Sequence, residues 1–230
     1  MYRIILTVVL VMCFASSLCA QKKERARAEN SGQVVKEILK MPESLPRNLL
    51  QQARCVVVIP SQLKFAFLVG GSYGRGVMTC RRGPDFKGPW GPPSMIAVEG
   101  GSFGFQAGGQ ATDFVLMLMN SRAATAILSS KVKLGVDASA SAGPVGRNAN
   151  ASVDASMRAE ILSYSRSRGL FAGASLSGST LRADNEANQR LYGKNVNARV
   201  LVLTSDVPTP PSARKLLALL NEETSGKAAT

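Results

Sequence analysis

The sequence contains no histidine, only four cysteines and few aromatic residues. Without imidazole, a Ser-His-Asp or Cys-His catalytic arrangement cannot form, and neither can a zinc site that uses histidine. Cys13 and Cys19 lie in the apolar N-terminal segment, and the other two cysteines cannot complete an all-thiolate zinc site. The nucleotide-binding patterns GxxxxGK[ST] and GxGxxG are also missing. We therefore expect a protein that is not an enzyme and that has no catalytic residue, cofactor or metal ion.

One short pattern could still carry a nucleophile. Ser61 to Lys64 matches SxxK, in which a lysine activates a serine. The companion motifs SDN and KTG are absent, and Ser61 follows Pro60 at the end of a predicted strand instead of opening a helix. We attribute this pattern to chance.

Acidic residues are scarce, with 15 Asp and Glu against 28 Lys and Arg and a net charge of +13. A charge of this sign favours anionic phospholipid headgroups, nucleic acid or an acidic protein face as partner. The alternative is that the charge only keeps the protein soluble. Aromatic residues among the charges are too few for a nucleic-acid platform, so we expect no nucleic-acid partner.

The N-terminus has the layout of a secretory signal peptide. Arg3 precedes an apolar run over 4–18, small residues lead to Ala20, and charged residues follow. The run is shorter than the roughly 20 residues of a membrane-spanning helix. We predict a signal peptide over 1–20, cleaved near Ala20, and a secreted or periplasmic protein that can associate with a membrane. A retained anchor is one alternative, and lipidation of Cys19 is another, although the bulky Leu18 argues against it.

Cys55 and Cys80 remain after the predicted cleavage. An even number of cysteines in an oxidising compartment is compatible with one disulfide. Two unpaired thiols in the core are the alternative, since the sequence does not show whether the two residues approach each other.

The remaining chain has the length of one domain. We divide it into a basic segment over 21–29, a single domain over 30–222 and a flexible tail over 223–230. Hydrophobic periodicity and capping residues predict helices over 25–41, 44–52, 121–130, 184–192 and 212–222. Short apolar or alternating runs predict strands over 55–59, 65–70, 74–81, 94–98, 101–108, 112–119, 157–165, 170–181 and 198–204. The predicted fold class is α+β, with a coiled, mostly antiparallel sheet forming a partial barrel and N-terminal, central and C-terminal helices at its periphery.

Glycine clusters mark the predicted strands. The run Gly70-Gly-Ser-Tyr-Gly74 recurs thirty residues later as Gly100-Gly-Ser-Phe-Gly104. Glycine inside a strand usually marks a bulge, a bend or a close approach of two backbones. We interpret these glycines as positions where a strongly coiled sheet bends.

The first predicted helix is basic and amphipathic. One face carries Val34, Val35, Ile38 and Leu39, while Lys36 and Lys40 lie elsewhere on it. Peripheral proteins use such helices on anionic bilayers. The alternative is a face packed on the domain, because Gly32 weakens the helix.

An ordered set of motifs resembles the SYLF domain. It comprises Pro60 with Lys64-Phe-Ala-Phe67, then Gly70 to Val77, Gly88-Pro-Trp90 with Pro93-Ser94, Gly101 to Gly104, Ala142 to Arg147, and Tyr164 to Gly173. The motifs occur in order between about Asn30 and Leu220. Each motif is weak by itself, but the ordered set is specific.

The resemblance implies a non-enzymatic module that binds phosphoinositides and other acidic lipids with the help of an N-terminal amphipathic helix. It places membrane contact at Val34, Val35, Ile38 and Leu39 with Lys36 and Lys40, and headgroup contact at Lys64 and Arg75. Eukaryotic members also bind actin, a partner we do not expect here because the predicted signal peptide exports the chain. The predicted function is binding of anionic phospholipid headgroups in a bacterial envelope. The alternative is an envelope interaction or structural module that binds an acidic protein partner.

Overall fold

The computed structural model describes residues 2–41, 44–67, 69–102, 110–145, 159–167, 170–173, 176–204 and 207–225. Their side chains are described too, except those of 2–18, 62–67, 69–71, 101–102, 110–111, 171 and 173.

One sheet of nine strands organises the molecule. The strands are β1 (Cys55–Phe67), β2 (Val69–Cys80), β3 (Ser94–Ser102), β4 (Gln110–Leu118), β5 (Val132–Lys133), β6 (Ala140–Ala142), β7 (Ile161–Ser167), β8 (Leu170–Gly173) and β9 (Thr180–Ala183). Their order is β5-β9-β3-β2-β1-β4-β7-β6, with β8 beside β7. The pairing is antiparallel except between β6 and β7, which run parallel. The sheet curls into a half-barrel, which confirms the predicted α+β class.

Helices cover both faces of the sheet. They are α1 (Tyr2–Leu39), α2 (Arg47–Gln52), α3 (Ser121–Ser129), α4 (Asn185–Tyr192), α5 (Ala198–Leu203) and α6 (Arg214–Thr224), with a 3₁₀ turn at Pro211–Ala213 before α6. Helix α1 contains the whole predicted basic segment. Helix α6 continues two residues into the predicted flexible tail. Among the described helices, none is apolar over a stretch long enough to cross a bilayer.

The apolar run at the start of β1 is buried on both faces. Val56 and Val58 join a core with α1, α2, α4 and α6, whereas Cys55, Val57 and Ile59 join a second core with α3 and α5. Successive strand residues point to opposite faces, so a strand between two helical layers must be apolar throughout. This accounts for the continuous run without alternation.

Two of the predicted strands that the structure describes were wrong, and residues 103–108 of the strand predicted over 101–108 lie outside the described residues. The strand predicted over 198–204 is replaced by helix α5 (Ala198–Leu203), because the Asn197 side chain accepts a hydrogen bond from the Val200 amide at 3.0 Å and caps the helix. Residues 170–181 are not one strand but β8 and β9, and Gly178 between them has a φ of +85° that breaks strand geometry.

The predicted strands over 55–59 and 65–70 belong mainly to the single strand β1, which contains a bulge. The register of β1 against β2 shifts between Val58 and Leu63, and Ser61 in the bulge has a φ of +52°. A Cβ atom on Gly76 of β2 would overlap the carbonyl oxygen of Val58. Gly76, two residues after the run Gly70 to Gly74, therefore marks a close approach of two backbones.

Candidate anion-binding surface

The apolar face of α1 lies in the core. Val35 and Ile38 are fully buried, Val34 is 5% exposed, and Leu39 packs against the same cluster. The helix packs closely on α6, since a Cβ atom on Gly32 would lie 3.1 Å from the Leu216 amide nitrogen. In the folded conformation this face holds α1 on the domain, so contact of these residues with a membrane would require the face to leave the core.

The predicted cationic residues do not all offer a free charge. Lys40 is exposed and Lys36 is half-buried on α1, while the side chain of Lys64 lies outside the described part. Arg75 is half-buried, with its Nε 3.5 Å from Oδ2 of Asp184, and its guanidinium lies 5.7 Å from the ring centre of Tyr73. Asp184 partly neutralises the charge that was predicted to meet a headgroup.

A different set of cations gathers where β1 begins and β2 ends. We call Arg54, Arg81 and Arg82 the arginine cluster. Arg54 directly precedes β1 and Arg81 directly follows β2, and the Arg81 amide donates to the Arg54 carbonyl oxygen at 2.9 Å. In the part of the chain that the structure describes, no carboxylate forms an ion pair with these three residues.

A disulfide joins the two strand ends next to the arginine cluster. Cys55 and Cys80 are directly opposed in the β1–β2 register, and their sulfur atoms are bonded. The disulfide considered for these two residues is therefore present in the structure. It fixes the strand ends from which Arg54 and Arg81 project.

Arg81 is held rigidly. Its guanidinium donates to the carbonyl oxygens of Ala53 at 3.0 Å, Gln51 at 3.1 Å and Gly88 at 3.4 Å. It also lies 4.8 Å from the ring centre of Trp90, within the range of a cation–π contact. Burial lowers the pKa of the Arg81 guanidinium, and the nearby charge of Arg54 lowers this pKa further. An arginine nevertheless stays protonated at neutral pH, so the two like charges persist side by side.

A compact loop between β2 and β3 supports the third arginine. The Arg82 amide donates to the Pro89 carbonyl oxygen and the Arg82 carbonyl accepts from Gly88, which closes the loop. The Nε of Arg82 is buried and has no hydrogen-bond partner among the described residues. Lys87 adds a fourth cation from the same loop, and it is 3.9 Å from Asp85. The side chains of Lys87 and Asp85 are largely exposed, and their ion pair is therefore weak.

Trp90 fastens the loop to α6. Its indole N–H donates to the Thr224 hydroxyl at 3.1 Å, and its amide donates to the Asn221 side-chain oxygen at 3.2 Å. The arginine cluster is thus supported by the Cys55–Cys80 disulfide, by the loop between β2 and β3 and by the end of α6.

Ser61, the serine of the SxxK pattern, lies in the bulge of β1, and the side chain of Lys64 lies outside the described part. Ser61 is exposed, and its amide donates to Oδ1 of Asp113 at 2.8 Å, which stabilises the bulge. Among the described residues, no three Cys, Asp or Glu side chains are grouped so that they could hold a metal ion.

Arg81, Arg82 and Lys87 lie close together in the sequence, whereas Arg54 does not and was not predicted to belong to a cationic site. The residue lies 27 positions before Arg81 in the chain, and only the β1–β2 register brings the two together. A sequence signal did exist, since both arginines are adjacent to the cysteines that form the disulfide.

Comparisons with known proteins agree with the motif pattern. The family model Ysc84, described as Las17-binding protein actin regulator, matches residues 99–223. Protein YSC84 of Saccharomyces cerevisiae is 36% identical over 208 residues, which cover 89% of this chain and 43% of that protein. SH3 domain-containing protein PJ696.02 of Schizosaccharomyces pombe is 36% identical over 212 residues, with 90% and 48% covered. SH3 domain-containing YSC84-like protein 1 of Homo sapiens is 31% identical over 207 residues, with 87% and 59% covered.

The chain spans about half the length of these curated relatives. The family description names binding and actin regulation, and none of these three names describes an enzyme. The family match covers more than half of the chain and confirms the resemblance that the glycine and aromatic motifs indicated. The chain belongs to the Ysc84 (SYLF) family of actin-regulator-related proteins.

Proposed function

We propose that this protein is a non-enzymatic module that binds anionic phospholipid headgroups through the arginine cluster and Lys87. The observation that carries the proposal is the concentration of four cations at one end of the sheet. Among the described residues, the one ion pair that these four cations form is the pair of Lys87 with Asp85. Such a local excess of positive charge attracts the negative surface of a bilayer.

The chemistry of the cluster suits phosphate. A guanidinium presents a planar fork of donors that can bind two phosphate oxygens at once. Arg54 and Arg82 are half-buried, so they combine a restricted geometry with access to solvent. Arg81 uses its donors on backbone carbonyls and contributes its charge.

We further propose that the protein acts outside the reducing cytosol, in a bacterial envelope. The Cys55–Cys80 disulfide supports this location, because structural disulfides persist in oxidising compartments. The proposed export and the disulfide agree with each other, and both separate this chain from cytosolic actin.

Flotation of the protein with vesicles tests the proposal. We expect binding to vesicles of phosphatidylcholine with phosphatidylglycerol, weak binding to phosphatidylcholine alone, and loss of binding as salt rises. The double variant Arg54→Gln/Arg82→Gln should weaken binding roughly 30-fold, because each cation near the membrane surface contributes about 1 kcal/mol to the binding free energy. Lys131→Gln/Lys133→Gln, which removes the same charge at two exposed positions at β5, is the matched control.

Two results would refute the proposal. One is equal binding of the unaltered protein to charged and neutral vesicles at low salt. The other is an equal loss of binding in the cluster variant and in the control, because net charge alone would then account for the effect.

An acidic protein partner is the second candidate. The family description, Las17-binding protein actin regulator, favours a protein ligand among relatives. The same arginine cluster could meet an acidic face, since interface arginines pair with carboxylates in the geometry they use for phosphate. Retention of an envelope protein by the unaltered chain and not by Arg54→Gln/Arg82→Gln, together with no preference for charged vesicles, would favour this candidate.

A further inference from the structure

A cleft of about 470 Å³ lies between α1, the end of α4 and the segment that leads into α6. This volume is within the range of small-molecule sites in proteins. The cleft is distinct from the arginine cluster. Its wall includes Ser212 just before α6, whereas Trp90, whose ring contacts Arg81 of the cluster, is hydrogen-bonded to Thr224 at the far end of that helix. Helix α6 has 11 residues, so its ends are about 16 Å apart.

The lining of the cleft has a charged part and an apolar part. Arg25 of α1 and Lys194 after α4 contribute two exposed cations, and Glu29 contributes one exposed carboxylate. Within the described residues, none of these three side chains forms an ion pair. Leu191, Tyr192 and the prolines at 208, 210 and 211 supply apolar surface.

Ser212 distinguishes the cleft from an ordinary surface depression. The residue lines the cleft, is 7% exposed, and its hydroxyl has no hydrogen-bond partner among the described residues. Buried hydroxyls in folded proteins are normally paired, and one that is not destabilises the fold. The two prolines that precede Ser212 have no N–H group to offer it.

We propose that this cleft binds a small organic anion such as an alkyl phosphate. The anionic group is held by Arg25 and Lys194 and exchanges a hydrogen bond with the Ser212 hydroxyl. The alkyl part lies against Tyr192 and the prolines. Glu29 repels the anion and lowers its affinity, because its negative charge reduces the net charge of these three side chains to +1.

Calorimetric titration with hexyl phosphate tests the proposal, with inorganic phosphate and hexanol as probes for each half of the ligand. We expect saturable 1:1 binding of hexyl phosphate, and at least tenfold weaker binding of either half. Arg25→Gln and Lys194→Gln should each weaken binding, and Glu29→Gln should tighten it. Lys131→Gln removes a charge away from the cleft and should leave binding unchanged. Absence of saturable binding, or equal effects of Arg25→Gln and Lys131→Gln, would overturn the proposal.

Ser212→Ala separates a ligand role from a structural one. Removing an unpartnered buried hydroxyl should raise the midpoint of thermal unfolding, while binding of hexyl phosphate should weaken roughly tenfold through the lost hydrogen bond. A variant that is less stable, or that binds hexyl phosphate as tightly as before, would contradict the assignment of Ser212. If Ser212→Ala does not fold, Arg25→Gln and Lys194→Gln still test the proposal, because both residues are exposed and their substitution should not disturb folding.

The phosphate can come from a soluble metabolite or from a lipid headgroup, and vesicles of phosphatidic acid distinguish the two sources. If Arg25→Gln/Lys194→Gln lowers both hexyl phosphate binding and flotation, the source is a lipid. If the variant lowers only hexyl phosphate binding, the source is soluble. Failure of the proposed function would appear instead as unchanged flotation of Arg54→Gln/Arg82→Gln, so the two failures are distinguishable.

Discussion

Gly76 is the residue on which the sheet depends most directly. It lies opposite the bulge of β1, and the Val58 carbonyl oxygen occupies the space that a side chain would need. We expect Gly76→Ala to lower the free energy of unfolding by about 3 kcal/mol, because two hydrogen-bonded backbones must move apart. Urea unfolding followed by circular dichroism measures this loss.

Gly178→Ala is the matched control for this substitution. A Cβ atom at Gly178 would meet nothing within 4 Å, but the residue has a φ of +85°. Gly178→Ala should lower the free energy of unfolding by only about 1 kcal/mol, because a residue with a Cβ atom is disfavoured in the left-handed conformation. Equal losses in the two variants would show that steric overlap at Gly76 is not the dominant effect.

Glu160 links three parts of the chain. Its carboxylate accepts hydrogen bonds from Arg122, Asn120 and the Ser139 amide. The hydrogen bond from Arg122 lowers the pKa of Glu160 below its usual value of 4.5, and the Ser139 and Asn120 contacts lower it further against the opposing effect of burial. A carboxyl with a lowered pKa in the folded state stabilises the fold above its unfolded pKa, and this contribution disappears as pH falls through the folded pKa.

We therefore expect Glu160→Gln to be less stable than the unaltered protein at pH 7. The difference should shrink as pH falls below about 4.5, where the carboxyl is progressively protonated. Urea unfolding at a series of pH values measures it. A difference that stays constant from pH 7 to pH 3 would exclude the ionised carboxylate as its cause.

At the scale of elements, the disulfide between β1 and β2 stabilises the fold mainly because it restricts the conformations of the unfolded chain. It joins residues 25 positions apart, and a cross-link of that span stabilises a domain by about 3 kcal/mol. We expect Cys55→Ala/Cys80→Ala to lose about this amount in urea unfolding. A further loss of vesicle binding by the folded variant is expected, since the strand ends that carry Arg54 and Arg81 would no longer be tied.

Addition of a reductant gives the control. It should shift the unfolding midpoint of the unaltered protein toward that of the double variant and leave the variant unchanged. Identical unfolding curves for the unaltered protein with and without reductant would contradict a stabilising cross-link.

The sequence predicted elements well where local chemistry determines them. Asp184, proposed near the start of a polar helix, caps α4 by accepting from the Ala187 amide, and Gly193 ends that helix with a φ of +67°. Prediction failed at 198–204, where β-branched residues favour a strand but the Asn197 cap and burial against α3 produce a helix. Propensity is a weak guide when capping and tertiary packing oppose it.

At the scale of the whole molecule, the amphipathic pattern of α1 had two interpretations that sequence could not separate. An apolar helical face buries equally well in a bilayer or in a core. The structure places Val35 and Ile38 against the sheet and α6, so the second interpretation fits the folded protein. The arginine cluster could not be predicted for a related reason, because the register of distant strands assembles it.

Val35→Ala tests which interpretation holds in solution. We expect a loss of about 2 kcal/mol in the free energy of unfolding, from the buried volume removed. The folded variant should float with charged vesicles as the unaltered protein does. Reduced flotation without a loss of stability would indicate that this face leaves the core to contact lipid.

The chain has one tryptophan, and that residue is Trp90. Its ring lies against Arg81 of the arginine cluster, and its indole N–H donates a hydrogen bond to Thr224 at the end of α6. Indole emission responds to nearby charge and to solvent, so the tryptophan fluorescence of the protein reports on the surface proposed to meet a headgroup. Occupation of that surface should be visible optically in the unlabelled protein, whereas hexyl phosphate in the cleft, at the other end of α6, should leave the emission unchanged.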